Sequence, residues 1–505
     1  MSSSSLPFQL LQTNHQNPPI KAWKSLLFPT NKPIDLLLLF LKAGLILSTF
    51  FLVSLLFFLS HSYHHTLFQH SLQLSVPHGS YAFNKQKSTN ISHIVFGIGS
   101  SVETWQNRYH YNELWWQPNV TRGFVWLEQE IPTNQSWPET SIPYKVSGNT
   151  SSFKYTCPFG SRSVIRITRI VKEIFEIGLP NVRWFVMGDD DTMFFTENLV
   201  NVLAKYDHNE MYYIGGNSES VEQNLIHSFA MAYGGGGFAV SYPLAAELVK
   251  ILDRCIDRYA IFYGSDQKIQ ACISEIGVQV TKELGFHQVD IRGNLYGLLA
   301  AHPVAPLVSL HHLDYVESMF PNTTRVDSVK KLVSAYKTDP GRTLQQSICY
   351  DLRRNWSVSV SWGYSVELYS TLVMANELET PFRTFKTWRS WSNDPFTFNT
   401  RPMSPDPCVR PLVFFLDRVE NVGERGHTRS AYKRYDDDSR ENVECVLPAL
   451  DVQFVNVSAP HFKPELWKKA PRRQCCNVIE GGDEASNVVQ IEIRSCHRFE
   501  SATPP

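Results

Sequence analysis

The sequence predicts an α/β domain built on a mainly parallel sheet, followed by a β-rich domain and preceded by a transmembrane helix. Three observations lead there. Between Ile94 and about Phe320, short apolar runs alternate with helix-like stretches, the pattern of parallel strands joined by crossover helices. Beyond Asn322 the pattern changes to strict alternation, as over 356–362, with Pro, Asp and Arg rising over 383–411. Near the start, residues 36–59 carry one charge, Lys42, whereas a bilayer core of ~30 Å requires roughly 20 apolar residues in a helix.

The elements follow in order. Residues 94–99 (Ile-Val-Phe-Gly-Ile-Gly) read as a buried strand ending in Gly and Ser. A helix is expected over 102–116 and a strand over 123–127. Helical periodicity over 162–177 leads into a second buried strand, Trp184 to Met187. An amphipathic helix over 196–206, a strand over 211–214 and a helix over 267–276 complete the pattern. The predicted organisation is a cytosolic tail (1–33), a signal anchor (34–60), a stem (61–90), the α/β domain (91–320) and the β-rich domain (321–505).

The tail is rich in Ser, Asn, Gln and Pro, a composition that predicts disorder. Lys21, Lys24 and Lys32 precede the apolar span, and no Lys or Arg follows it until Lys85. That asymmetry predicts a single-pass type II protein whose bulk is luminal. A cleaved signal peptide would lie nearer Met1 and end in small residues. Seven sequons (Asn90, Asn119, Asn134, Asn149, Asn322, Asn355 and Asn456) and all nine cysteines lie beyond the span. An oxidising lumen allows disulfides, and nine cysteines leave at least one thiol without an internal partner. Cys-x-x-Cys does not occur, which argues against a structural zinc site. A net charge of −1 gives no reason to expect a nucleic-acid partner.

The most informative run is Trp184 to Asp191. An apolar strand ends in Gly188 and then three carboxylates, Asp189, Asp190 and Asp191. Three adjacent carboxylates repel one another and are costly to desolvate beside an apolar strand. A divalent cation resolves the conflict, and hard oxygen ligands select Mg²⁺ or Mn²⁺. Ligands of open α/β sheets also bind just beyond the carboxyl ends of strands. The plainer alternative is a solvated acidic turn. A second triplet, Asp436 to Asp438, follows no apolar strand and reads as a solvated loop.

Four later segments would have to converge on Asp191. The run Gly234, Gly235, Gly236 and Gly237 permits close approach of backbone to a ligand, and no Lys-Ser/Thr follows to make it a nucleotide P-loop. Asp266, after Tyr263-Gly264-Ser265, either caps a helix or projects a general base. His287 and Asp290 are loop hydrogen-bonders at the least. His311-His312-Leu313-Asp314 offers neutral imidazoles, natural additional ligands for Mn²⁺.

In this order, the strand with its Asp triplet, the glycine run, Ser265-Asp266 and His311-His312-Leu313-Asp314 resemble the Fringe-type enzymes of the β-1,3-glycosyltransferase family 31 group, and most of all their plant Fringe-related branch. The resemblance covers roughly residues 91–320. It implies a GT-A fold and an inverting transfer from a UDP-sugar to a hydroxyl of a glycan or glycoprotein acceptor, with Mn²⁺, in the Golgi membrane. By position it implies Asp191, Asp189 and His312 as metal ligands and Asp266 as catalytic base. Asp189, Asp190, Arg108, Arg166, Gly235, Gly236 and Gly237 would contact the donor. Two departures are notable: the family often has two acidic residues where this chain has Ser265-Asp266, and four unbroken glycines replace a more interrupted loop. The alternative from a different class is a catalytically silent carbohydrate-binding or scaffold protein of the same fold.

Overall fold

A computed structural model of the chain describes residues 44–56, 88–134, 136–423, 426–435, 445, 449–479 and 487–503. The chain divides into two compact units, residues 1–86 and 87–505. In the first, residues 44–56 are helical and present Leu45, Leu47, Phe50 and Phe51 to the exterior. No helix of the described residues is long and apolar enough to cross a membrane. The rest of the expected 34–60 span, the tail, nearly all of the stem and the second Asp triplet lie outside the described residues.

The second unit starts with β1 (Ile94–Gly99), α1 (Val102–Glu113), β2 (Gly123–Leu127), β3 (Tyr144–Val146), α2 (Ser163–Glu176) and β4 (Trp184–Asp189). There follow β5 (Met193–Phe194), α3 (Thr196–Leu203), β6 (Tyr213–Gly215), α4 (Val221–Ile226), β7 (Phe238–Ser241), α5 (Tyr242–Arg258), α6 (Ser265–Ile276) and β8 (Val280–Lys282). The main sheet has the order β3-β2-β1-β4-β7-β6-β8. Its pairings are parallel except where β7 runs against both β4 and β6. The expected mainly parallel sheet is thus present, with one reversed strand.

Both faces of this sheet are covered, which explains the unbroken apolar runs of β1 and β4. Successive side chains point to opposite faces of a strand. Val95, Phe185 and Met187 therefore face α2, α5 and α6, packing with Ile170, Ile174, Leu248, Leu252 and Ile273. Phe96, Ile98, Trp184 and Val186 face the other way, onto Trp115, Phe194, Phe195 and Leu199. A disulfide, Cys255–Cys272, ties α5 to α6.

A small second sheet matters more for the site. β9 (Phe286–His287), β10 (Ile291–Gly293), α7 (Tyr296–Ala300) and β11 (Ser309–Leu310) come next. β11 lies between β5 and β9, with Leu310 opposite both Met193 and His287. That register sets the ends of the Asp-triplet turn, the His311-His312 segment and the His287–Asp290 segment side by side.

After α8 (Arg325–Thr338) the chain forms β12 (Gln346–Asp351), β13 (Trp356–Ser361), β14 (Ser365–Tyr369), α9 (Ala375–Leu378) and β15 (Phe385–Thr387). It ends with β16 (Leu412–Val422), β17 (His427–Tyr435), β18 (Phe454–Pro460), β19 (Cys475–Ile479) and β20 (Val488–Arg494). Eight of these strands close into a barrel, in the order β12-β13-β14-β16-β17-β18-β20-β19. The closing pair β12–β19 matches only Ile348 with Cys475, and Cys349–Cys476 bonds covalently across that seam. Cys408–Cys445 and Cys475–Cys496 complete the pairs, leaving Cys157 as the free thiol.

The β-rich barrel and the α/β part share one hydrophobic core within the unit 87–505. β13 shows why. Its alternation buries Val358 and Val360 on one face, as expected, yet Ser357, Ser359 and Ser361 on the other face are buried as well. Ser361 donates to the carbonyl of Leu299 (2.8 Å) at the end of α7, and Tyr364 donates to the carbonyl of Met319 (2.9 Å). The polar face of the strand is where the α/β part docks.

Candidate active site

The three carboxylates of the triplet diverge. Asp190 is buried, and its oxygens accept from Ser100 Oγ (2.7 Å), Thr104 Oγ1 (2.5 Å) and Arg108 (3.0 Å), while Asn112 donates to its carbonyl (2.6 Å). It fastens α1 to the end of β4. The sequence reading put Asp190 on the donor; its oxygens are spent on α1 and the β1–α1 turn instead. Asp189 remains more than a third exposed. Asp191 is fully buried, between Arg108 (3.2 Å) and His311 Nε2 (3.0 Å), and neither of its oxygens has a partner of hydrogen-bond geometry.

Arg108, expected at the donor, reaches Asp190, Asp191 and Asp314 from one turn of α1. Tyr111, three residues on and so on the same helix face, donates to Asp314 at 2.6 Å. Arg166 does not join them. It is buried and donates to the carbonyls of Trp126 (2.8 Å) and Ser100 (2.7 Å), so it braces the ends of β1 and β2.

The imidazole against the triplet is His311, not His312. His311 Nδ1 pairs with the backbone carbonyl of Gln288 (3.2 Å), which turns Nε2 towards Asp191, with Asp189 at 3.9 Å. An imidazole held through one nitrogen by a carbonyl presents the other as a ligand. His312 has a left-handed backbone (φ +53°), and its ring packs on that of His311 at 3.8 Å with its Nδ1 directed to Asp290 rather than to the triplet. Its Nδ1 lies 3.1 Å from Asp290, and its ring is parallel to Trp388 at 4.3 Å.

The electrostatics follow from burial and neighbours. Burial alone would lower the pKa of His311, but the Asp191 carboxylate outweighs it and holds the imidazole up at about 9. Burial would raise Asp191, and His311 with Arg108 overcomes that, holding it well below the usual carboxylate range. Asp189 is pushed up to about 7, chiefly by desolvation among the protein groups packed around its partly exposed carboxylate, with His311 opposing. The donor types suit a divalent cation: Asp191 and Asp189 lie 3.0 and 3.9 Å from the oriented His311 Nε2, and the buried Asp191 carboxylate lacks hydrogen bonds of its own, although the three do not close into a tight triad. Among the described residues, the one tight triad of ligand types is Cys475, Cys496 and Glu500. Its two sulfurs are bonded to each other, so it is no metal site.

The glycine run crosses between the triplet and Asp266. Gly235 accepts from Thr192 Oγ1 (2.7 Å), Gly236 donates to Gln288 Oε1 (2.6 Å) and accepts from Ser309, and Gly234 donates to Asp266 Oδ2 (3.3 Å). Gly237 takes φ +80°. At Gly235 a Cβ would fall inside the His311 ring. Gly235→Ala should therefore displace His311 from Asp191. Overpacking of this kind costs about 1–3 kcal/mol, which thermal unfolding would register as a lowered Tm together with lost activity; a native Tm and native activity would contradict it.

Asp266 sits in the first turn of α6, which starts two residues earlier than expected, with Gly264 as N-cap. Its Oδ1 accepts from the Gln267 amide (2.8 Å), and burial raises its pKa. It lines one crevice together with Asp189 and Gly234. Gln288, Thr192, Ser309 and Tyr111 were not singled out by the sequence. Each acts through a hydrogen bond whose partner is distant in the chain, and no local spacing announces that.

The model of a family described as "Protein of unknown function, DUF604" matches residues 223–476. The chain belongs to this family. The match runs from α4 to β19, so it includes the glycine run, Asp266, His311 and most of the barrel but not the Asp triplet. A search of curated proteins finds no match. Among solved structures, the chain is similar to a glycosyltransferase involved in the glycosylation of the major capsid of PBCV-1. The identity is 12%, over 47% of this chain and 97% of that one, with a TM-score of 0.25. A superposition that loose carries no weight for the site.

Proposed function

We propose that this chain is an inverting glycosyltransferase that moves a sugar from a UDP-sugar to a hydroxyl of a glycan or glycoprotein. The observation that carries the reading is a crevice lined by Asp189, Gly234 and Asp266, with His311 and the buried Asp191 directly behind Asp189. The order of these parts along the chain, which resembles the Fringe-type enzymes, supports the same reading. Mn²⁺ would be held by Asp191, Asp189 and His311, and it would supply charge stabilisation to the departing diphosphate. His311 must lose its extra proton to become a ligand, so metal binding is expected to release a proton. Arg108, beside Asp191, balances negative charge at that end of the site. Asp266 takes the proton of the acceptor hydroxyl as its oxygen attacks the anomeric carbon, and attack opposite the leaving group inverts that centre.

The full-length chain, purified in detergent and given a panel of UDP-sugars, should release UDP with Mn²⁺ and lose that activity in EDTA. Absence of release with every donor would overturn the reading in favour of a silent carbohydrate-binding protein.

The Golgi membrane and type II orientation belong to the same proposal. Five sequon asparagines (Asn119, Asn134, Asn149, Asn322 and Asn355) are exposed, and Asn90 and Asn456 are partly so. All seven are thus accessible to some degree, as luminal glycosylation requires. Endoglycosidase should increase the gel mobility of the protein expressed in eukaryotic cells. Unaltered mobility would contradict a luminal location.

A further inference from the structure

The barrel half of the molecule returns a segment to the active site. Residues 387–397 leave β15, which pairs with β10 (Ile291 opposite Thr387), and they rejoin the α/β part where Thr397 donates to the carbonyl of Glu219 (2.9 Å). Between these anchors the Glu222 carboxylate accepts from the amides of Arg389 (3.3 Å) and Ser390 (3.4 Å). The strap is therefore fixed at both ends and in the middle.

What it presents is aromatic. Trp388 stacks on His312, and the Arg292 guanidinium lies 3.7 Å from the Trp388 ring centre, 5.0 Å from that of Tyr315 and 5.6 Å from that of Trp391. Trp391 is 59% exposed and Tyr315 42% exposed. Two large aromatic surfaces thus face solvent around one guanidinium. Exposed apolar surface with polar groups at its edge marks a ligand-binding surface. The shelf adjoins the candidate site through His312, whose ring contacts that of His311 (3.8 Å) and that of Trp388 (4.3 Å) and whose Nδ1 lies 3.1 Å from Asp290.

We propose that Trp391 and Tyr315, held about Arg292, form the acceptor subsite, and that the group it takes is a pyranose ring of a glycan. The proposal rests on the glycosyltransferase reading and names its acceptor class. A pyranose carries C–H bonds on one face and hydroxyls around its rim. The face packs on an aromatic ring, and the rim hydroxyls accept from a guanidinium whose donors are fixed in a fork. The serine and threonine hydroxyls of a polypeptide acceptor sit beside no such flat apolar face.

The test uses the full-length chain and methyl glycosides of galactose, glucose, N-acetylglucosamine and fucose, with binding read by saturation-transfer NMR. At least one glycoside should bind saturably. Trp391→Ala and Tyr315→Ala should each weaken it about tenfold, and Trp391→Phe, which keeps an aromatic face, should restore most of the affinity. Mn²⁺-dependent UDP binding should be unchanged in all three. The shelf is refuted if no glycoside binds, or if both alanine variants bind as the parent does. UDP release from the donor alone separates the two claims. Glycoside binding without UDP release would sink the glycosyltransferase reading and leave a carbohydrate site; UDP release with unaltered glycoside binding in the variants would do the reverse.

Discussion

Asp191→Ala is expected to abolish UDP release while leaving the protein folded. The substitution removes a carboxylate that makes ion-pair contacts but no hydrogen bond, so no donor is orphaned by its loss. Deleting one member of a buried ion pair is ordinarily costly, because the remaining charge is uncompensated. Here His311 can relieve the cost by deprotonating, since burial lowers its pKa once Asp191 is gone. Arg108 keeps Asp190 and Asp314. Asp190→Ala should behave differently. It strips the acceptor from Ser100, Thr104 and Arg108, and hydrogen bonds to a charged group are worth about 1.5–3 kcal/mol each, so a lowered Tm precedes any kinetic effect. Thermal unfolding beside UDP release distinguishes the two. Near-native release by Asp191→Ala would remove Asp191 from the metal, and an unchanged Tm for Asp190→Ala would remove Asp190 from its bracing role.

The second large effect concerns the base. Asp266→Asn keeps the shape of the side chain and can still accept from the Gln267 and Gly234 amides through its oxygen. It cannot take a proton. Loss of a general base typically costs about 10²–10⁴-fold in rate, and that loss should appear in kcat with Mn²⁺-dependent UDP affinity retained. The pH profile gives an independent reading. Burial raises the pKa of Asp266, so the ionised, active form disappears as pH falls through a value above the ordinary carboxylate range. The rate of the parent should fall along that acid limb, and the residual rate of the Asn variant should keep only the pH dependence set by Asp189 and His311 at the metal end. Lost UDP affinity in Asp266→Asn would move this residue to the donor side; near-normal turnover would leave it a helix-end residue.

How far the sequence could be read depended on where each contact lies along the chain. β1, β2 and the strand leading into the triplet were legible because sheets covered on both faces produce unbroken apolar runs, bounded here by Gly and Ser. Asp266 at the start of a helix was legible from Gly264 and the periodicity that follows. Side-chain direction beyond a strand end was not. The period of a strand stops at Asp189, so nothing local says that Asp190 turns to α1 while Asp191 turns to His311. The choice between His311 and His312 rests on one left-handed residue and on the Gln288 carbonyl, which β9 and β11 bring near by their pairing. Barrel closure was likewise hidden, because its seam joins Ile348 to Cys475 and its disulfide spans 127 residues. The aromatic strap lies in the Pro-rich stretch that has no periodicity to read.

The most direct test is the binding of Mn²⁺ itself, followed by electron paramagnetic resonance as the full-length protein is titrated in the presence of UDP. Protein-bound Mn²⁺ loses the sharp spectrum of the free ion. The account predicts that the parent removes one equivalent of Mn²⁺ signal, with proton release. It predicts that Asp191→Ala and His311→Ala fail to do so while His312→Ala still does. A free-ion spectrum undiminished by the parent, or a titration abolished by His312→Ala and indifferent to His311→Ala, would contradict it.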